Sequence, residues 1–203
     1  MAVLTYSLPL LMLVAAMGVG AASARLGEGV ARISVVSSAL TLVLALVLFL
    51  NQLWAESGQL VGFGLSVFTL YIDWLSTLMA LLVSAIGLVV NVYSVRYMQD
   101  DPAYTRYFML LDGIIGIILL MVLAGDLLTL LLAWHLIGVF LYFLLNHDTR
   151  RPAANRYAFW TLLTHRIGDL PLLAITALAY HTYGTLSLPT LFERVAAAPH
   201  AAT

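Results

Sequence analysis

The chain has 203 residues, of which 63% are hydrophobic and 9% charged, with a mean hydropathy of +1.00; soluble domains carry about a quarter charged residues, so lipid must solvate most of this chain. A net charge of −1 argues against nucleic acid as a partner. Cysteine and lysine are both absent, which excludes disulfides, thiolate metal ligands, thiol catalysis and an amine proton carrier within these residues.

Six stretches reach the length of about 20 mainly apolar residues that a membrane span needs. They are 4–24, 31–54, 74–98, 105–124, 127–146 and 155–180. The first lacks the basic start of a signal peptide, since the first arginine is Arg25, and it reads as a retained helix. Segment 57–72 is too short and too glycine-dotted to span as a helix. Its end, Leu65 to Ile72, is rich in aromatic and β-branched residues, so a β-hairpin outside the membrane is expected. Asp73 then caps the third span by accepting free backbone N–H groups. Ala124-Gly125-Asp126 suits a tight turn between antiparallel helices. Pro171 lacks an N–H, so the carbonyl of Ile167 loses its helical partner and a kink is expected beside Gly168. The tail 181–203, ending in Ala196-Ala197-Ala198 and Ala201-Ala202-Thr203, reads as an extracytoplasmic tail or the start of a linker to further C-terminal helices. The fold class is an all-α integral membrane protein: a bundle over 1–180 of about six transmembrane helices, with a short β-hairpin between helices 2 and 3.

Arginine placement predicts the orientation. Arg25 and Arg32 flank the first loop, Arg96 and Arg106 the third, and Arg150, Arg151 and Arg156 the fifth. The second and fourth loops hold Glu56, Asp73 and Asp126 and no basic residue. Under the positive-inside rule, loops one, three and five are cytoplasmic and the N-terminus is outside. Trp54, Tyr93, Tyr97, Tyr104, Tyr107, Tyr157, Tyr180 and Tyr183 fall near span ends and read as interfacial anchors.

The residues that interrupt this apolar pattern are the candidates for ion chemistry. Asp169 lies mid-span, three residues after Arg166. One such charge at bilayer depth costs roughly 2.5–3.5 kcal/mol on insertion scales, and residues three apart share a helix face on which they offset each other. The pair either carries ions or locks helices together. His165, four residues before Asp169, is a proton-relay element beside a carboxylate or a packing histidine. His135 is central in the fifth span and either faces a pathway or makes an interhelical hydrogen bond. Asp112 lies about two turns into the fourth span; Gly113 and Gly116 beside it predict close helix contact and favour a structural or access role. His147 and Asp148 fall at the membrane edge and read as solvated. No phosphate loop, His-x-x-x-His pair or nucleophile elbow occurs.

Asp73-Trp74-Leu75-Ser76, Arg96-Tyr97-Met98, Tyr104-Thr105-Arg106-Tyr107-Phe108, Trp134-His135-x-x-Gly138, Arg166-Ile167-Gly168-Asp169 and Gly184-Thr185-Leu186 follow in that order. Over about 70–192 this resembles the N-terminal region of the antiporter-like membrane subunits of the NuoL and MrpA type, found in respiratory complex I and in Mrp cation/proton antiporters; the first two spans match in hydropathy only. The resemblance implies a proton or sodium path through the bundle, with Asp169 at a position where the family keeps a functional carboxylate. The family's usual residue after the Trp of the fifth helix is a glutamate, paired with a lysine on a later helix. Here it is His135, and such lysines would lie beyond Thr203. Either the chain is a fragment or a split subunit, or its ion chemistry is altered.

That histidine, with Arg150-Arg151-Pro152-Ala153-Ala154 before the sixth span, looks most like the DabB branch, the membrane subunits of DabA–DabB inorganic-carbon systems. This likeness implies a bacterial inner-membrane subunit that is not itself an enzyme. Cation flow through it would drive CO₂ hydration in a DabA-like partner, and that partner would hold the zinc. The other readings are a pumping subunit of a respiratory NADH dehydrogenase or an Mrp-type antiporter, and a membrane scaffold that only anchors a soluble partner.

Overall fold

A computed structural model of the protein describes residues 2–26, 29–55, 58–62, 68–148, 150 and 152–197. Glu56, Leu65, Arg151 and the end of the tail from Ala198 lie outside these residues. The helices are α1 (Ala2–Leu26), α2 (Gly29–Gln52), α3 (Trp74–Tyr97), α4 (Tyr104–Val122), α5 (Leu127–Leu145), α6 (Pro152–Tyr183) and α7 (Leu188–Ala197). Strands β1 (Gln59–Val61) and β2 (Leu70–Ile72) pair antiparallel between α2 and α3, with Leu60 opposite Tyr71. Helices α1 to α6 are each long and apolar enough to cross a membrane.

Within the expected tail, residues 188–197 form α7. Gly184, at φ +65, ends α6 in the left-handed conformation that glycine adopts without a Cβ penalty, and its N–H donates to the Tyr180 carbonyl at 2.8 Å. Arg194 on α7 donates back to the Tyr183 carbonyl. Leu188, Leu191, Phe192 and Val195 recur at helical spacing, opposite Glu193 and Arg194, the pattern of a helix lying at a membrane surface. Helix α6 continues through Pro171.

Helix α4 is the axis of the bundle. It packs against α1, α2, α3 and α5, and 56% of its span is buried, against 11% for α6. The inward faces of α2 and α3 are mostly small and polar, whereas α4 buries Phe108, Leu111, Ile114, Ile115 and Leu119. On α3 they are Ser76, Thr77, Ala80, Ser84, Gly87, Asn91 and Ser94; on α2 they include Ala31, Ser34, Ser38, Thr41 and Ala45. Large residues such as Val36, Leu40, Val43, Leu82, Ile86 and Val89 point outward. Lipid is as apolar as leucine, so nothing drives leucines inward; small residues let backbones approach, and dispersion holds them. The hydroxyls close on their own helices: Ser84 donates to the Ala80 carbonyl at 2.7 Å and Thr41 to the Ser37 carbonyl at 2.8 Å. A Cβ on Gly116 would lie 3.1 Å from the Pro9 carbonyl oxygen and 3.0 Å from Leu13, so this glycine sets the approach of α1 to α4.

One end of the bundle is tied together by Asp126. Its wholly buried carboxylate accepts from the Thr129 N–H (2.7 Å) and hydroxyl (2.8 Å), and from the Thr69 N–H (2.6 Å) and hydroxyl (3.0 Å). It thus caps α5 and grips the end of the hairpin loop in one step. The backbone adds Gly125 N–H to the Thr69 carbonyl (2.8 Å), Tyr71 N–H to Leu123 (2.8 Å), Leu127 N–H to Leu186 (2.9 Å) and Leu188 N–H to Gly125 (2.9 Å). A Cβ at Gly125 would stand 2.9 Å from the Leu70 carbonyl carbon, so only glycine fits there. The Tyr6 hydroxyl of α1 lies 3.1 Å from both the Val61 and Phe68 carbonyls. Asp73 completes this end with a reciprocal capping box to Ser76, at 2.7 Å and 2.8 Å. The start of α1, the hairpin, the α4–α5 turn and the α6–α7 turn therefore share one end, and Arg32, Arg96, Arg106, Arg150 and Arg156 belong to the other.

Asp126→Ala would strand four donors. It is expected to lower stability by about 2–4 kcal/mol, with Asp126→Asn losing less; unfolding of the purified protein in detergent measures both.

Candidate functional site

Asp169 and Arg166 occupy one face of α6, and Arg166 Nη1 sits 3.0 Å from Asp169 Oδ2. Across the seam, His135 of α5 places Nδ1 3.0 Å from the same carboxylate oxygen. Arg166 also donates from Nη2 to the His135 carbonyl at 2.9 Å, and its Nη1 contacts the imidazole Nδ1. Gly138 makes this possible. A Cβ there would lie 2.7 Å from Arg166 Nη2 and 3.2 Å from the His165 Cβ, so the glycine three residues after His135 clears the path of the guanidinium.

His135 and Asp169, two candidates from separate spans, thus meet with Arg166 in one cluster. His165 does not join it: its Nδ1 turns to the Thr161 carbonyl of its own helix at 2.8 Å. The His135 side chain is 49% exposed, Arg166 27% and Asp169 14%. The cluster lies on the outer side of the bundle, because α6 packs chiefly on α5. Asp169 Oδ1 and Arg166 Nε are buried and have no hydrogen-bond partner among the described residues.

The chemistry follows from the position of Nδ1 between a base and a cation. Protonated, that nitrogen donates to Asp169; deprotonated, it accepts from Arg166. An imidazole so placed changes partners as it gains or loses a proton, which is what a relay element must do. The guanidinium offsets the carboxylate and lets the acid stay at this depth.

Asp112 forms a second, separate cluster. It is wholly buried on α4 and accepts from the Ser34 hydroxyl of α2 (2.6 Å) and the Asn91 amide of α3 (3.1 Å). Asn91 also donates to Ser38 at 2.6 Å. Gly113 faces Phe140 of α5, and Gly116 faces α1, as close helix contact requires. Three helices converge on this carboxylate.

Further residues depart from the sequence reading. Tyr107 is not a surface anchor: its hydroxyl lies 3.0 Å from Ser94, and its ring stacks edge-on with His147 at 5.6 Å. His147 is partly buried, 3.4 Å from Asp101, rather than freely solvated. Trp54, Tyr93, Tyr97, Tyr157 and Tyr180 are exposed, as belt residues are. The sequence reading did not name Ser34 and Asn91, the partners of Asp112. The signal for Asn91 was a small and polar stripe at spacings of three and four, Ser84-Gly87-Asn91-Ser94, and for Ser34 the run Ser34-Ser37-Ser38-Thr41. Among the described residues no group of three or more His, Cys, Asp or Glu is arranged to hold a metal.

The bundle thus brings a carboxylate, a guanidinium and an imidazole together near the middle of α5 and α6, two helices long and apolar enough to cross a membrane. Residues 61–108 match the family described as NADH-ubiquinone oxidoreductase (complex I), chain 5 N-terminus, and residues 124–202 match NADH:quinone oxidoreductase/Mrp antiporter, TM. The chain belongs to this family of antiporter-like membrane subunits. It is 47% identical, over 98% of its length, to the probable inorganic carbon transporter subunit DabB1 of Halothiobacillus neapolitanus. That likeness carries sequence identity through the first two helices, beyond the hydropathy match expected. It is 35% identical over 73% of its length to NADH-quinone oxidoreductase subunit L of Mycobacterium tuberculosis. The chain spans 36% and 23% of these relatives. Among solved structures, a chain of the Mrp complex from Dietzia sp. DQ12-45-1b superposes with a TM-score of 0.72 at 26% identity, over 94% of this chain and 21% of that one. A chain of the archaeal membrane-bound sulfane sulfur reductase shares the fold, with a TM-score of 0.83 at 19% identity over 92% of this chain and 39% of that one.

Asp112→Ala leaves Ser34 and Asn91 without their acceptor and is expected to cost about 1–3 kcal/mol. Combined with Asn91→Ala, the two losses should fall short of additive by about 1 kcal/mol in a thermal-unfolding cycle.

Proposed function

We propose that this chain is the antiporter-like part of a cation-conducting subunit that couples an H⁺ or Na⁺ gradient to the uptake of inorganic carbon. The observation that carries the reading is the 47% identity to a probable inorganic carbon transporter subunit over nearly the whole chain. The His135–Asp169–Arg166 contact supports it chemically, because it supplies a titratable ring against a carboxylate where the family usually keeps a glutamate. The subunit spans the bacterial inner membrane with the Asp126 end outside and the arginine-rich end in the cytoplasm, in keeping with the positive-inside rule. Its partner is a soluble DabA-like protein that holds a zinc ion and hydrates CO₂.

The magnitudes allow such coupling. One charge crossing about 100 mV releases roughly 2.3 kcal/mol, and a tenfold bias in an equilibrium needs about 1.4 kcal/mol. One ion per turnover therefore suffices to drive hydration in one direction. Asp169 is the site at which the cation or its proton resides, His135 hands the proton on, and Arg166 holds the acid in place. His165 and Asp112 position helices around that path.

The alternative, a pumping subunit of a respiratory or Mrp-type complex, draws on the 35% identity to subunit L of NADH-quinone oxidoreductase. Co-purification of the full-length subunit decides between them. A large zinc-containing partner identified by mass spectrometry and metal analysis supports the carbon reading; quinone-reducing or multiple antiporter subunits overturn it. Asp169→Asn in the full-length protein is expected to abolish bicarbonate accumulation while the complex still assembles, and His135→Ala to impair it less. Wild-type accumulation in the Asp169→Asn cells would leave only the scaffold reading.

A further inference from the structure

We infer that the arginine-rich end of the α1–α2 seam binds one anionic phospholipid, with its phosphate on Arg32 and its two acyl chains in grooves on either side. Two grooves meet at Arg32 and Val36. One, of about 730 Å³, has a polar mouth of Arg32, Gln99 and Thr105 over walls of Val35, Val36 and Val95. The other, of about 540 Å³, runs along the α1–α2 seam past Gly18, Val14 and Leu11 to Leu40 and is apolar below Arg32. Its one hydroxyl, Ser37, is already turned onto the Ser34 carbonyl at 3.0 Å.

The charge at the junction identifies the occupant. Among the described residues, Arg32 is exposed, makes no ion pair or hydrogen bond, and has no acid beside it in the lining of either groove. A guanidinium presents a planar fork of donors that matches a phosphate. It stands at the first turn of α2, at the end of the bundle where the other interfacial arginines gather and where headgroups lie. Leu40 is eight residues further along α2, about 12 Å deeper at the helical rise. That depth approaches one leaflet of hydrocarbon, about 15 Å. Arg32 and Val36 line both grooves, so a molecule with one headgroup and two chains reaches both from the guanidinium. This site is apart from the His135–Asp169 cluster and does not depend on how that cluster works.

Two substitutions test it without disturbing the fold. Arg32 is exposed, and a Cβ on Gly18 meets nothing within 4 Å. The purified protein is exchanged into mixed vesicles of phosphatidylglycerol and phosphatidylcholine, re-extracted and examined by native mass spectrometry. Wild type is expected to retain one phosphatidylglycerol. Arg32→Gln should lower that bound fraction about tenfold, the worth of one charge-assisted contact. Gly18→Leu, which fills the second groove, should lower it while circular dichroism stays unchanged. Equal retention of phosphatidylcholine and phosphatidylglycerol by wild type, or equal phosphatidylglycerol on the Arg32→Gln protein, overturns the proposal. So does a bound polypeptide, rather than a lipid, that is lost with Arg32.

Discussion

The carboxylate of Asp126 is the constraint on which the bundle depends. Membrane helices gain little from hiding apolar surface against each other, so their order must come from turns, caps and close backbone contacts. Asp126 supplies a cap to α5 and two hydrogen bonds to Thr69, and the backbone around it reaches Leu123, Leu186 and Leu188. Three chain segments distant in sequence are held at one point. An acid can serve here because every lone pair that faces inward has a donor. Without those donors the same group would be a buried charge, far more costly than the turn it organises.

From that anchored end the helices run as an inside-out assembly. Serines, alanines and glycines of α2 and α3 face α4, and the branched aliphatics face lipid. This arrangement makes room for polar side chains at depth. Asp112 is accepted among Ser34, Asn91 and α4 because small neighbours bring donors within 2.6–3.1 Å. It sits at the core of the bundle with three helices on it. Asp169 sits at the edge, against one helix, with an imidazole and a guanidinium. Two acids of the same kind are thus sorted by surroundings: Asp112 is enclosed among neutral donors, and Asp169 is partly exposed beside an imidazole and a guanidinium.

The spans, the hairpin and the Asp73 cap were legible because length, hydropathy and turn chemistry are local properties of the chain. Arg166 with Asp169 was legible for the same reason, through helical spacing. The meeting of His135 with Asp169 was not, since it depends on how α5 and α6 are rotated against each other, which no local pattern encodes. Asp112 was visible as an anomaly, but its partners were not, because Ser34 and Asn91 belong to other helices. His165 was legible with two readings open, and its ring turns to the Thr161 carbonyl of its own helix. Helix α7 was not legible, since alanine-rich ends drew attention from the Leu188, Leu191, Phe192 and Val195 stripe.

Gly138 carries a wider consequence. The arm of Arg166 crosses from one helix to the next through the space that a methyl group would occupy. The requirement at this position is for emptiness, not for any functional group. A substitution there would leave every reactive atom in the sequence and still part them, much as a door wedged by a pebble keeps both its lock and its key.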